Sequence, residues 1–294
     1  CWRRISRIKG LGEEADKEIA RLSVEKTISA GQGLTGRSGA AAASREDGAA
    51  GPTSKRARLT QAIRDNPADV DSYLELADVL EQEATIEEAE QVLAKALAAS
   101  GNELKVREHV EDRHLRWARA KVMLAEKRVE AENTPENQTT VEKLKTASLR
   151  QEIEVFGARV SRYPDNLTWK YELALRLKSA GKHPDAIRYF QEALKDVRRK
   201  GAISLELGEC FQGIKQYQLA MQNYEAALES LSDRELELRK RALYRAGVLA
   251  AGLKDFDAAQ KHLSTVAGLD FGYRDVAQRL DKLRAGRDKG TGDG

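Results

Sequence analysis

Apolar residues return every three or four positions along most of the chain, the spacing that gathers them on one face of a helix. In residues 1–30, Ile5, Ile8, Leu11, Ile19, Leu22 and Ile28 keep this rhythm and predict one or two amphipathic helices. The rhythm lapses over residues 31–54, where Gly31-Gln32-Gly33-Leu34-Thr35-Gly36 and the alanine run Ala40 to Ala43 bury little, so a flexible linker is expected. It resumes at Lys55. A short helix through Arg58 to Ile63 should stop near Asn66-Pro67, because proline disfavours helical geometry in the residue before it. Tyr73, Leu76, Ala77 and Leu80, followed by Ala89, Leu93 and Ala96, predict two antiparallel helices turning near Ala84-Thr85.

The next two segments are longer. One helix is predicted from about Leu104 to Glu132, broken at Asn133-Thr134-Pro135, and another from about Thr139 to Arg162. Leu115, Ala118, Val122 and Ala125 form a stripe on the first; Leu144, Leu149, Ile153, Phe156 and Val160 form one on the second. The pair reads as an elongated hairpin over 104–162, projecting beyond its neighbours or forming a coiled-coil-like insertion. Beyond it the pattern repeats. Ala186-Ile187-Arg188-Tyr189-Phe190-Gln191-Glu192-Ala193-Leu194 returns as Ala220-Met221-Gln222-Asn223-Tyr224-Glu225-Ala226-Ala227-Leu228, 34 positions later. A repeat of this size predicts stacked helical hairpins, each unable to bury its apolar face alone.

Composition agrees with an all-α chain. Of 294 residues, 41% are hydrophobic and 33% charged, and prolines number only five. The 50 Lys+Arg against 47 Asp+Glu leave a net charge of +3, which argues against a dedicated nucleic-acid binder, where a basic stripe normally dominates. Cys1 and Cys210 offer neither a disulfide framework nor a metal-ligand pattern, and Cys210 falls in an apolar stripe, where a buried thiol is expected. No run approaches the roughly 20 apolar residues of a membrane span, and a cytoplasmic location is expected. From the start at Cys1 a fragment or processed product is expected. A removed signal peptide or a lipidated cysteine would look the same, although Trp2-Arg3-Arg4 is a poor sequel to an anchor.

These residues resemble the tetratricopeptide repeat. The best copy holds Leu207-Gly208, Phe211, Tyr217, Ala220, Tyr224 and Ala227; the one before it holds Leu173-Ala174, Leu177, Gly181, Ala186, Phe190 and Ala193. Looser copies hold Tyr73, Leu76-Ala77, Leu80, Ala89, Leu93 and Ala96, and Gly247, Phe256, Ala259 and Leu263, the last copy five residues late through a longer turn around Ser230-Glu235. The resemblance covers about residues 55–267 and implies a right-handed α-solenoid of stacked antiparallel helix pairs. Small residues at the crossings let helices approach to about 8–10 Å, and the aromatics fill the gap to the next pair. Residues 55–284 are therefore expected to form the repeat domain. Its last helix, apolar at Val276, Leu280 and Leu283, is a cap, and residues 285–294 are expected to be a disordered tail.

The resemblance also implies a concave groove lined by the first helix of each pair. By position this gives Asp71, Leu74 and Asp78; Thr168, Tyr171, Leu175 and Lys178; Leu205, Glu209 and Gln212; and Arg241, Tyr244 and Val248. Relatives that hold acidic chaperone tails carry lysines and asparagines at such places. Here Leu74, Asp78, Leu205 and Glu209 replace that carboxylate clamp, so a mixed apolar and acidic groove is expected, suited to an amphipathic or basic peptide.

Catalytic and metal chemistry find no motif. His109 and His114 are five apart, which is not the zinc-protease spacing, and read as solvated helix-surface residues. Arg113, Arg116, Arg119 and Lys121, near Trp117, read as a solvated face balanced by Glu108, Glu111 and Asp112. Trp117 and Trp169 read as core or interface fillers. No cofactor is expected. The expected function is a non-catalytic scaffold or adaptor binding a protein or peptide segment. The alternatives are RNA binding through the Arg113–Lys121 face and the regulatory part of a larger enzyme.

Overall fold

A computed structural model describes residues 54–83 and 85–290, the side chains of 286–290 excepted. The expected N-terminal helices (1–30), the Gly/Ala/Ser stretch up to residue 53 and the last four residues lie outside the described residues. Twelve α-helices and one 3-10 turn are present among the described residues, and no strand. The chain divides between Lys145 and Thr146 into two compact units.

The first unit contains α1 (Lys55–Asp65), α2 (Val70–Gln82), α3 (Ile86–Ala99) and α4 (Leu104–Ala131), and ends in α5 (Pro135–Arg162). Ser54 and Asp69 cap α1 and α2 by accepting from the amides of Ala57 and Ser72, relieving orphan donors at each helix start. The hairpin α2–α3 buries Leu76, Ala77, Leu80, Ala89 and Leu93, and α4 closes that core with Val110 and Trp117. Left-handed Gly101 (φ 64) and Asn102 (φ 63) reverse the chain between α3 and α4. α4 and α5 are each 28 residues long. α5 begins four residues before the expected Thr139, because Pro135 suits a first helical turn and Thr134 Oγ1 accepts from the Asn137 amide at 3.2 Å. Past the turn, Lys145 reaches back to Glu126 at 2.9 Å.

The second unit continues α5 and adds α6 (Leu167–Ser179), α7 (His183–Ala193), a 3-10 turn (Val197–Arg199), α8 (Lys200–Gly213), α9 (Tyr217–Ser230), α10 (Leu236–Gly252), α11 (Phe256–Leu269) and α12 (Val276–Gly290). Consecutive helices from α6 to α12 pack on one another, and α8 also touches α6 and α10. First helices therefore stack on first helices. A single left-handed residue ends the first helix of each pair: Gly181 (φ 72), Lys215 (φ 61) and Lys254 (φ 65). At each, two amides turn back to carbonyls of the helix just ended, as with Lys215 to Gln212 and Gln216 to Phe211.

Helix crossings are close where the sequence places small residues. A Cβ added at Gly208 would lie 2.5 Å from the Tyr224 ring, and one at Gly247 would lie 2.7 Å from Leu263. Ala186, Phe190, Ala193, Ala220, Tyr224, Ala227 and Ala259 are fully buried. Two expectations need correction. Phe256 is 44% exposed, because it opens α11 at the turn and does not reach the interior. The longer turn around Ser230-Glu235 is absent. Residues 231–235 make a compact connection closed by buried Leu231, and the extra length sits in helices: α9 has 14 residues to α7's 11, and α10 has 17 to α8's 14. At the end of the array α12 buries Val276, Leu280 and Leu283 against α10 and α11, and it runs on to Gly290, past the expected helix end at 284.

Candidate functional site

Three successive first helices, α6, α8 and α10, bring charged side chains together in the second unit. Each helix supplies residues three or four apart, and hence one face. Glu209 stands at the centre. Its Oε1 accepts from Arg241 Nε at 2.9 Å and Arg245 Nε at 3.0 Å; its Oε2 accepts from Arg241 Nη2 at 2.5 Å and from Lys178 Nζ. Glu206, one turn earlier, accepts from Arg241 Nη1 at 2.9 Å and from Lys178. Both glutamate side chains are only 9% exposed. Burial alone would raise the Glu209 pKa. The hydrogen bonds and charges of Arg241 and Lys178 outweigh it and hold the carboxyl at about 2. Burial likewise works against the Arg241 cation, yet Glu209 and Glu206 keep its pKa above the ordinary value.

Aromatic groups flank this ladder. Tyr171 on α6 packs on Phe190, with the Arg199 guanidinium 5.5 Å from its ring, and Arg199 also donates to Thr168 Oγ1 at 3.3 Å. Burial and the nearby Glu206 and Glu172 push the Tyr171 hydroxyl up. On α10, the Tyr244 hydroxyl donates to Asp275 at 2.6 Å, and Arg279 donates to the same carboxylate at 2.9 Å, which lowers the Asp275 pKa. Leu175 on α6 and Val248 on α10 are half-buried.

The residues expected to line a groove thus divide. Thr168, Tyr171, Leu175, Lys178, Glu209, Arg241 and Val248 are partly exposed on α6, α8 and α10. Leu205 is not a surface residue: α8 lies between neighbours on several sides, and Leu205 is fully buried against α9 and α10. Tyr244 is 8% exposed. Gln212 accepts from the buried Tyr224 hydroxyl at 2.6 Å and so serves the core. In the first unit Asp71 is exposed and Leu74 half-buried, while Asp78 pairs with Arg113.

Arg113 and the two histidines are not the solvated groups expected from their acidic sequence neighbours. Arg113 is 1% exposed; it binds Asp78 and, at 3.1 Å, Glu81 of α2, and donates to His109 Nε2 at 3.0 Å. His114 packs on Trp117 with ring centres 5.6 Å apart, and burial lowers the pKa of both histidines. The sequence reading also passed over Glu206, Arg199, Arg245, Asp275 and Arg279. The signal was present: opposite charges recur about one repeat apart, as with Asp78 and Arg113, or Glu209 and Arg241. Glu209 is paired with Lys178, Arg241 and Arg245, and in the first unit Asp78 is paired with Arg113.

Cys210 is fully buried, and desolvation pushes its thiol up to about 12, which leaves it without nucleophilic thiolate at neutral pH. Among the described residues no group of three or more His, Cys, Asp or Glu is placed to hold a metal ion. No described helix is long and apolar enough to cross a membrane.

The family comparison agrees with the repeat architecture. The tetratricopeptide repeat family model matches residues 56–103 and 171–235. No curated protein sequence matches the chain. Among solved structures, the chain is similar to MamA (16% identity, 50% of this chain and 84% of that one, TM-score 0.45). It is similar also to YrrB, described as a TPR protein with an unusual peptide-binding site (18%, 77% and 99%, 0.44). A third is PilF of Pseudomonas aeruginosa (17%, 93% and 100%, 0.40).

Proposed function

We propose that this chain of tetratricopeptide repeats is a non-catalytic interaction scaffold that holds a segment of another protein across the first helices α6, α8 and α10. The observation that carries the reading is the ion ladder on those helices. Lys178, Glu206, Glu209 and Arg241 tie three hairpins together. Tyr171, Leu175, Arg245 and Val248 remain partly open between them. A face pre-arranged by such bonds loses little freedom when a ligand docks, and affinity then comes from a few anchors rather than total area.

Photo-cross-linking tests this reading. A photoreactive residue replacing Leu175 or Val248 should capture a defined partner in the native host, and one replacing Gln222, exposed on α9, should not. Tyr171→Ala should weaken the capture at Leu175. Equal capture at Gln222, or none at Leu175 and Val248, would refute the proposal.

A further inference from the structure

We infer that this face selects acidic peptide segments, with Arg245 and Arg274 as the anchoring cations. The inference rests on the interaction reading above and adds the chemistry of the ligand. It follows from which charges have bonding capacity left. Each oxygen of Glu209 accepts from two cationic groups, and those of Glu206 accept from Arg241 and Lys178. On this face Glu209 is saturated, Glu206 Oε1 accepts from Arg241 alone and Asp275 keeps only Oδ2 open, so a basic segment would find few carboxylate sites and would mostly face arginines.

The cations are not all spent. Arg245 gives only its Nε to Glu209, is 38% exposed, and its two terminal nitrogens make no bond among the described residues. Arg274, in the connection before α12, is exposed and makes no hydrogen bond or ion pair among the described residues. Its guanidinium is instead stacked 4.9 Å from the Tyr244 ring and 5.4 Å from the Tyr273 ring, which stand edge to face. Stacking on aromatic rings orients the planar fork and leaves its in-plane N–H donors free. A carboxylate matches that fork with two parallel hydrogen bonds. Tyr244 lies one turn from Arg241 and next to Arg245 on α10, so the stacked arginine continues the charged face of the ladder.

A peptide carrying Asp or Glu residues spaced among apolar ones would pair its carboxylates with Arg245 and Arg274 and rest its apolar side chains on Leu175 and Val248. Phosphorylated side chains offer the same oxyanion chemistry to the same forks.

The test is fluorescence anisotropy with the full chain and four labelled peptides of equal length and shared apolar positions: acidic, basic, neutral, and neutral with one phosphoserine. The acidic peptide is expected to bind best and to weaken steeply as salt rises. Arg245→Ala with Arg274→Ala should reduce its affinity roughly tenfold or more, the scale of losing charge-assisted hydrogen bonds. This pair should fold normally, because Glu209 keeps Lys178 and Arg241, and unchanged helical circular dichroism would confirm it. Tighter binding of the phosphopeptide than of the acidic peptide would assign the forks to phosphate and overturn the carboxylate preference. Basic or neutral peptides binding as well as the acidic one, or acidic binding indifferent to the double variant, would overturn the inference and leave the scaffold reading standing. Failure of all four peptides, together with absent capture at Leu175 and Val248, would overturn both.

Discussion

The closest helix crossing makes a sharp prediction, because one substitution should have opposite signs at two glycines. At Gly208→Ala the new methyl would sit 2.5 Å from Cδ1 and Cε1 of Tyr224 and 3.2 Å from the Ala220 carbonyl. Ordinary contact needs about 3.5 Å, so ring or helix must retreat by about 1 Å. The ring has nowhere to go: Tyr224 is fully buried, and its hydroxyl donates to Gln212 on the same helix that carries Gly208. Overpacking of this kind costs about 1–3 kcal/mol, and a strained Tyr224–Gln212 bond adds about 1 kcal/mol. Replacing a helical glycine returns about 1 kcal/mol, leaving a net loss of about 1–3 kcal/mol. Gly157 in α5 has no neighbouring atom within 4 Å of its would-be Cβ, so Gly157→Ala should simply gain about 0.5–1 kcal/mol. Urea unfolding followed by circular dichroism, with tryptophan fluorescence as a second probe, should place the two variants on opposite sides of the parent chain. If Gly208→Ala were as stable as Gly157→Ala, the crossing at α8 and α9 would not be held by close packing.

Three further outcomes are expected. Glu209, held at about 2 when folded against an ordinary value of 4.5, binds fewer protons folded than unfolded; its stabilisation is therefore complete above about pH 4.5 and lost as pH falls towards 2. The upper bound is about 3 kcal/mol, and the stability gap between the parent and Glu209→Gln should close over that window in acid titrations of urea unfolding. In a Cys1→Ser background, Cys210 should resist alkylation at pH 8 and react only as fast as the chain opens, which mass spectrometry of timed samples would read; prompt labelling would contradict its burial. Tyr224→Phe removes the 2.6 Å bond to Gln212 and should cost about 1 kcal/mol in the same urea assay, with helical content unchanged.

The packing skeleton was legible in the sequence because it is periodic and local. Alanines at 186, 193, 220 and 227 recur at fixed offsets from Phe190 and Tyr224, and a crossing that admits only small side chains leaves no other residue type there. The face was harder. Leu205 falls in a run, Ile203 to Gly208, that is buried throughout, so α8 carries no single apolar stripe from which its rotation could be read. Arg113 looked solvated because Glu108, Glu111 and Asp112 adjoin it along the chain. Its partners proved to be Asp78 and Glu81, about one repeat back. Local windows cannot see that pairing; comparison of charges one repeat apart can.

The ladder also explains why the sign of this face escapes composition. Over the whole chain the 50 Lys+Arg and 47 Asp+Glu look balanced, whereas α6, α8 and α10 carry eight lysines and arginines against four glutamates. Folding pairs them unequally. A buried carboxylate must be saturated, since an unpaired charge away from water costs several kcal/mol, so Glu206 and Glu209 draw in every cation within reach. An arginine has five donors and a long apolar stem, so it can satisfy such a glutamate with one edge and keep the other in water. Arg245 does this. Arg274 reaches the same condition through tyrosine faces, with no carboxylate bound to it among the described residues. What a docking segment meets is therefore the remainder after internal pairing, and that remainder is positive.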